Sequence, residues 1–143
     1  VSNDLIPYKR PGDEVTGYAV AAITGKKCVQ IAAAKVNHAE GLSTTGEGGT
    51  YRCAHPVAAG ANGGAGKMIF GVAKYDQAVV GKLFGIIREG IVPITASAAI
   101  TAGQEVQVVG DGSVVPFSTG TPIGTACDDC AVGADCEVAL MIS

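Results

Sequence analysis

Five cysteines and two histidines are the residues of this 143-residue chain best suited to chemistry. In CDDC, Cys127 and Cys130 have the two-residue spacing of a metal knuckle or a redox pair, and Cys136 follows six positions later. A structural zinc site takes four ligands, commonly from two such knuckles. The second knuckle would have to come from Cys53 and His55, or from Cys28, without regular spacing. In CEVALMI, Cys136 shares strand parity with Val138, Leu140 and Ile142, so it points with three apolar residues toward a core, a common place for a free thiol. A Cys127–Cys130 disulfide formed after release from the cell explains the spacing more readily than a metal does. The stretch as a whole is expected to be a turn leading into a closing strand. Because five is odd, at least one thiol stays free or pairs between chains.

Other chemistries are tested the same way. GANGGAGKM approaches a phosphate loop, whose backbone amides cradle phosphate while a Ser or Thr hydroxyl meets Mg²⁺. Here Ala61 stands at the position of the first glycine and Met68 at the position of the hydroxyl, so the turn and the metal contact are both missing. There is no G-x-S-x-G elbow, and only His38 and His55 are available as bases. His38 lies in a polar stretch and His55 precedes Pro56, positions that suit surface or loop residues. A Cys53–His55 pair stays open, although five cysteines and two histidines produce such pairs by chance. The adjacent carboxylates Asp13–Glu14 and Asp128–Asp129 fall at turns, where Asp is favoured for local hydrogen bonding. The expectation is a protein without catalytic residues, metal or cofactor.

The elements around these residues are short and β-like. In KKCVQIAA, Val29 and Ile31 fall on one face and Cys28 and Gln30 on the other, which is strand periodicity. MIFGVAK from Met68, LFGII from Leu83 and GIVPIT from Gly90 are apolar runs rich in β-branched residues. Gly110-Asp111-Gly112 between two Val-rich runs is a hairpin signal. ASAAITAG is the most helix-like piece, but its terminal Thr and Gly suit a turn as well. The density of Gly and Pro leaves no room for long helices. Between His38 and Lys67 the chain becomes glycine-rich, with one strand expected around Tyr51–Ala54; so long a loop is usually functional or bound to a partner. Residues 1–12 form an extended arm in which Pro7 and Pro11 fix the backbone and Leu5, Ile6 and Tyr8 give it apolar groups to bury on a partner.

Bulk properties narrow the function. At this length the chain is expected to be one domain, residues 13–143 beyond the arm, with a radius of gyration of roughly 15 Å. Hydrophobic residues make up 48%, yet there is no Trp and only three Phe and four Tyr, so aliphatic side chains must fill the core. Charged residues make up 16%, below the ~25% usual in soluble domains, which implies surface covered by other subunits. The net charge of −3 and the scattered basic residues argue against nucleic acid as the partner. No 18-residue apolar run exists to span a membrane, and the opening residues lack the layout of a secretion signal, so a cytoplasmic product is expected.

The run GIVPITASAAITAGQEVQVVGDGSVVPF, followed by TPIGTA and VGADCEVALMI, resembles the capsid decoration (cement) proteins of tailed bacteriophages. PGDEVTGYAVAAITGKKCVQI and KMIFGVAKYDQAVVGKLFGIIREGIVPI are similar in order and style. The resemblance covers most of the chain and is best from about Gly66 onward. It implies an all-β fold: a small compact β-barrel or β-tulip-like domain with an extended N-terminal arm and a long glycine-rich loop. It also implies a non-enzymatic homotrimer on the outer surface of the virion capsid, with the major capsid protein as partner, stapling the lattice against internal DNA pressure. Leu5, Ile6 and Tyr8 are the residues expected to meet that lattice. Two alternatives remain: a cysteine/histidine metal-binding or enzymatic domain, and another virion β protein of the tail or fibre.

Overall fold

The computed structural model describes residues 14–36, 50–56, 69–120 and 122–141. Among these, every regular element is a strand: β1 (Glu14–Ala19), β2 (Cys28–Val36), β3 (Thr50–Ala54), β4 (Ile69–Ala73), β5 (Leu83–Ile87), β6 (Ile91–Thr95), β7 (Glu105–Val108), β8 (Val114–Pro116), β9 (Gly124–Ala126) and β10 (Asp135–Leu140). The all-β expectation holds. ASAAITAG forms turns and isolated bridges, Ala96 to Val114 and Ile100 to Cys130, because Thr and Gly break it before a helix can form. The arm and most of the stretch from His38 to Lys67 lie outside the described residues.

The first five strands close on themselves in the order β1-β3-β2-β4-β5. Closure depends on β1, which runs parallel to β3, with Gly17 opposite Tyr51, and antiparallel to β5, with Glu14 opposite Ile87. Bulges in β2 shift its register against both β3 and β4, so the barrel is irregular on that side. Ala19, Ile23, Val29, Cys53, Ala73, Phe84 and Ile86 fill the interior. Phe84 and Ile86 fit there because position 17 has no side chain. A Cβ on Gly17 would lie 2.5 Å from the Ile86 methyl and 3.1 Å from the Phe84 ring.

The last five strands form an antiparallel sheet ordered β6-β10-β9-β7-β8. Pro93, which has no N–H to donate, sits in the edge strand β6. β7 and β8 form the hairpin expected from Gly110-Asp111-Gly112. The turn is closed by the Val109 N–H on the Ser113 carbonyl at 2.9 Å, and Gly112 adopts φ +89°.

Barrel and sheet share a core. Cys28, Ile69 and Val72 from the barrel pack with Ile94, Val106, Val108, Val114, Cys136 and Val138 from the sheet. The alternation in KKCVQIAA therefore has a structural meaning: Cys28 faces this joint core and Val29 faces the barrel interior. Main-chain bonds cross the junction from the Cys28 N–H to the Gly112 carbonyl (2.7 Å) and from the Thr95 N–H to the Lys26 carbonyl (2.8 Å). The ion pairs Lys26–Asp135 (2.7 Å) and Lys27–Asp111 (3.2 Å) flank them.

Candidate interaction surfaces

The residues singled out for chemistry are placed in structural roles. Cys28, Cys53 and Cys136 are fully buried. Burial pushes the Cys53 thiol up to about 12 and raises Cys28 as well, so neither is a thiolate at neutral pH. Burial, and then a hydrogen bond with the Cys130 thiol, raises Cys136. Cys130 packs against the joint core beside Cys136, whereas Cys127 is exposed and directs its thiol to the Thr125 carbonyl at 3.9 Å. All five cysteines are free thiols, and Cys130 is hydrogen-bonded with Cys136. β10 explains this, because its inward face carries Cys136 into the cluster on which Cys130 rests.

Cys53 and His55 do not form a dyad. Cys53 points into the barrel, while the His55 ring bridges two main-chain groups: Nε2 accepts the Thr24 N–H at 2.8 Å and Nδ1 lies 2.7 Å from the Cys28 carbonyl. Desolvation is the main reason that its pKa falls below the ordinary histidine value. The sequence marks His55 as a loop residue, which it is, but its bridging role depends on partners 31 and 27 positions away. Asp128 serves its local turn by accepting the Asp129 N–H at 2.8 Å, whereas Asp129 reaches across the chain to accept the Ala102 N–H at 2.7 Å, 27 positions away. His38, Ala61, Met68 and the arm residues Leu5, Ile6 and Tyr8 lie outside the described residues. A cleft of about 140 Å³ between barrel and sheet is lined by Val72, Ile87, Val92 and Pro93, with Lys26 and Lys74 at its rim. Both ammonium groups are already engaged, by Asp135 and by Glu14.

Among the described residues, the exposed large apolar side chains other than Val132 gather on two surfaces. The first is the loop joining β4 to β5, where Tyr75, Val79 and Val80 are exposed, Val80 by 60%, continued by Leu83 at the start of β5. Lys82 is exposed beside them, and no carboxylate among the described residues pairs with it. The second is the outer face of the five-stranded sheet. Strand register lines up one row across it: Ile91 opposite Ala139, Ala139 opposite Thr125, Thr125 opposite Glu105, and Phe117 bonded through its N–H to the Glu105 carbonyl. Ile91 is 61% exposed, Met141 adjoins Thr125, and Phe117 closes the row on the far side. Glu105 and Glu137 lie on this face without an ion-pair partner among the described residues, while Asp135 on the same face is held by the Lys26 ammonium at 2.7 Å.

The sequence carries a matching asymmetry that inspection for motifs passes over. After Arg88 there are seven acidic residues and no Lys, Arg or His, a formal charge of −7 for residues 89–143. Residues 1–88 hold ten bases and six acids, a formal +4. The division coincides with the architecture, because the last barrel strand ends at Ile87 and the sheet begins at Ile91.

The family model for phage cement proteins matches residues 7–142. The chain belongs to the phage cement protein family. Membership makes it a structural protein of a bacteriophage virion with a capsid-stabilising role. The fold agrees with a solved structure, the crystal structure of the head fiber gp8.5 N base in bacteriophage phi29. The TM-score is 0.61 at 15% identity, and the match covers 89% of this chain and 92% of that one. At that identity the likeness concerns the fold alone. Among curated proteins no match is found.

Proposed function

We propose that this cement protein decorates the outer surface of a tailed-phage head as a homotrimer. There it binds the major capsid protein and takes no part in catalysis. The observation that carries this reading is the family match over residues 7–142. Two features of the chain support it. The low charge content, 16%, suits a subunit whose surface is covered by neighbours, and two apolar surfaces stay exposed on the isolated chain. Leu5, Ile6 and Tyr8 of the arm are proposed to reach the lattice.

A ligand that binds the assembled state and not the dispersed one stabilises assembly by mass action, by about 2.7 kcal/mol at a concentration 100 times its Kd. Many copies on a symmetric shell add such increments, and a trimer that touches several capsid subunits gains effective concentration at each further contact. The test compares decorated and bare particles under heat and osmotic shock. Decorated shells should rupture at the higher threshold. Equal thresholds would remove the stabilising role, and electron microscopy that places the protein inside the shell or only in the tail would remove the assignment.

A further inference from the structure

A closed trimer with threefold symmetry cannot use one patch twice. Its contact is heterologous, so each chain must offer two different, complementary surfaces. The described residues offer two, and they differ in charge. The β4–β5 loop presents Val79 and Val80 with Lys82 beside them, on the half of the chain that carries a formal +4, and the one carboxylate of the loop, Asp76, is turned to the Gly25 N–H at 2.7 Å. The outer sheet face presents Ile91 and Met141 among the unpaired carboxylates Glu105 and Glu137, on the half that carries −7; Asp135 beside them is already paired with Lys26.

Resting on the homotrimer reading, we propose that the β4–β5 loop of one subunit docks on the outer sheet face of the next, and that this head-to-tail contact is the trimer interface. Charge decides the pairing. Sheet against sheet would bring two −7 halves together and barrel against barrel two positive ones, whereas loop on sheet sets Lys82 among carboxylates. Burial of Val80 and Ile91, each more than half exposed on the isolated chain, supplies the non-directional part of the attraction. Electrostatics fixes which surfaces meet and in which sense around the ring.

The experiment uses the full chain. Sedimentation equilibrium should give the mass of three chains for the unmodified protein and of one chain for Val80→Asp and for Ile91→Asp. Val132→Asp, at an exposed position outside both surfaces, should stay trimeric. Circular dichroism checks that the variants keep the fold. Mixing Val80→Asp with Ile91→Asp restores one intact interface and should yield two-chain species. Carbodiimide crosslinking of a mixture of isotopically light and heavy unmodified chains should join Lys82 of one chain to Glu105 or Glu137 of another. A trimeric unmodified protein whose Val80→Asp or Ile91→Asp variant is also trimeric overturns the proposed contact and leaves the homotrimer reading intact. So do inter-chain crosslinks formed only elsewhere. An unmodified protein that sediments as one chain at every concentration overturns the homotrimer itself, and the contact with it.

Discussion

His55 accepts the Thr24 N–H at Nε2, which leaves Nδ1 as the nitrogen that carries the proton and donates it to the Cys28 carbonyl. Only the neutral ring serves both partners, since a second proton at Nε2 would meet the Thr24 N–H donor to donor. The folded-state pKa is depressed, chiefly by desolvation of the ring. The unfolded chain, with an ordinary histidine pKa of about 6.5, then takes up a proton that the folded chain resists. This contribution to stability is fully present above about pH 6.5 and is lost as pH falls from there through the folded pKa. Urea midpoints should therefore drop between pH 7.5 and 5, and His55→Gln should flatten that slope. Asp111 acts in a lower window. Burial alone would raise its carboxyl, but hydrogen bonds from Ser113 and the Lys27 ammonium outweigh that and hold it at about 2. Its share is present above the ordinary carboxylate range and is lost as pH falls toward 2. Gly112 stands beside both residues. At φ +89°, its Cβ would lie 2.5 Å from the Cys28 carbonyl oxygen and 3.0 Å from the His55 ring nitrogen. Gly112→Ala should cost at least about 2 kcal/mol in denaturant unfolding, because an unfavourable backbone conformation and a backbone clash add.

At the scale of elements, the arm gives the prediction. If it serves attachment, deleting residues 1–12 should leave a folded β protein with unchanged circular dichroism and a weakened hold on the particle. Loss of the fold, or undiminished decoration, would refute that division of labour. The strands themselves show what local sequence carries. β4, β5 and β6 stand out because Val and Ile runs lie between Gly and Pro breaks, and the β7–β8 hairpin because a turn with φ above zero selects glycine. β10 was legible from the parity of Cys136 and Val138. β9 was not, because Gly124–Ala126 is three residues long, too short to show a period. The closure of the barrel was equally hidden. It depends on β1 pairing in parallel with β3 across more than thirty positions of chain, and no local pattern encodes a long-range parallel register. The interaction surfaces were half legible. The charge division at Arg88 is plain in the sequence, but it becomes meaningful only once the chain is seen to change from barrel to sheet at that point.

For the whole molecule, the opposite signs of the two halves predict how association responds to ionic strength. Screening shortens the Debye length from about 10 Å at 0.1 M salt to about 3 Å at 1 M, so an attraction that depends on Lys82 facing carboxylates should weaken as salt rises. The dissociation constant of the proposed trimer should increase between 0.05 and 0.5 M salt, read by sedimentation. An association indifferent to salt would mean that apolar contact alone holds the subunits.

The position of β1 has a mechanical consequence. The chain enters the barrel at Glu14, and from Glu14 to Tyr18 it is laced to β5 on one side, with Gly17 to Ala19 laced to β3 on the other. A pull on Glu14 directed along β1 would load these ladders lengthwise, in shear, so several hydrogen bonds must fail together instead of unzipping one after another. A tether attached to a hanging edge strand would peel away under a far smaller force. Fastened at the seam that closes its barrel, this chain can yield only by opening the barrel.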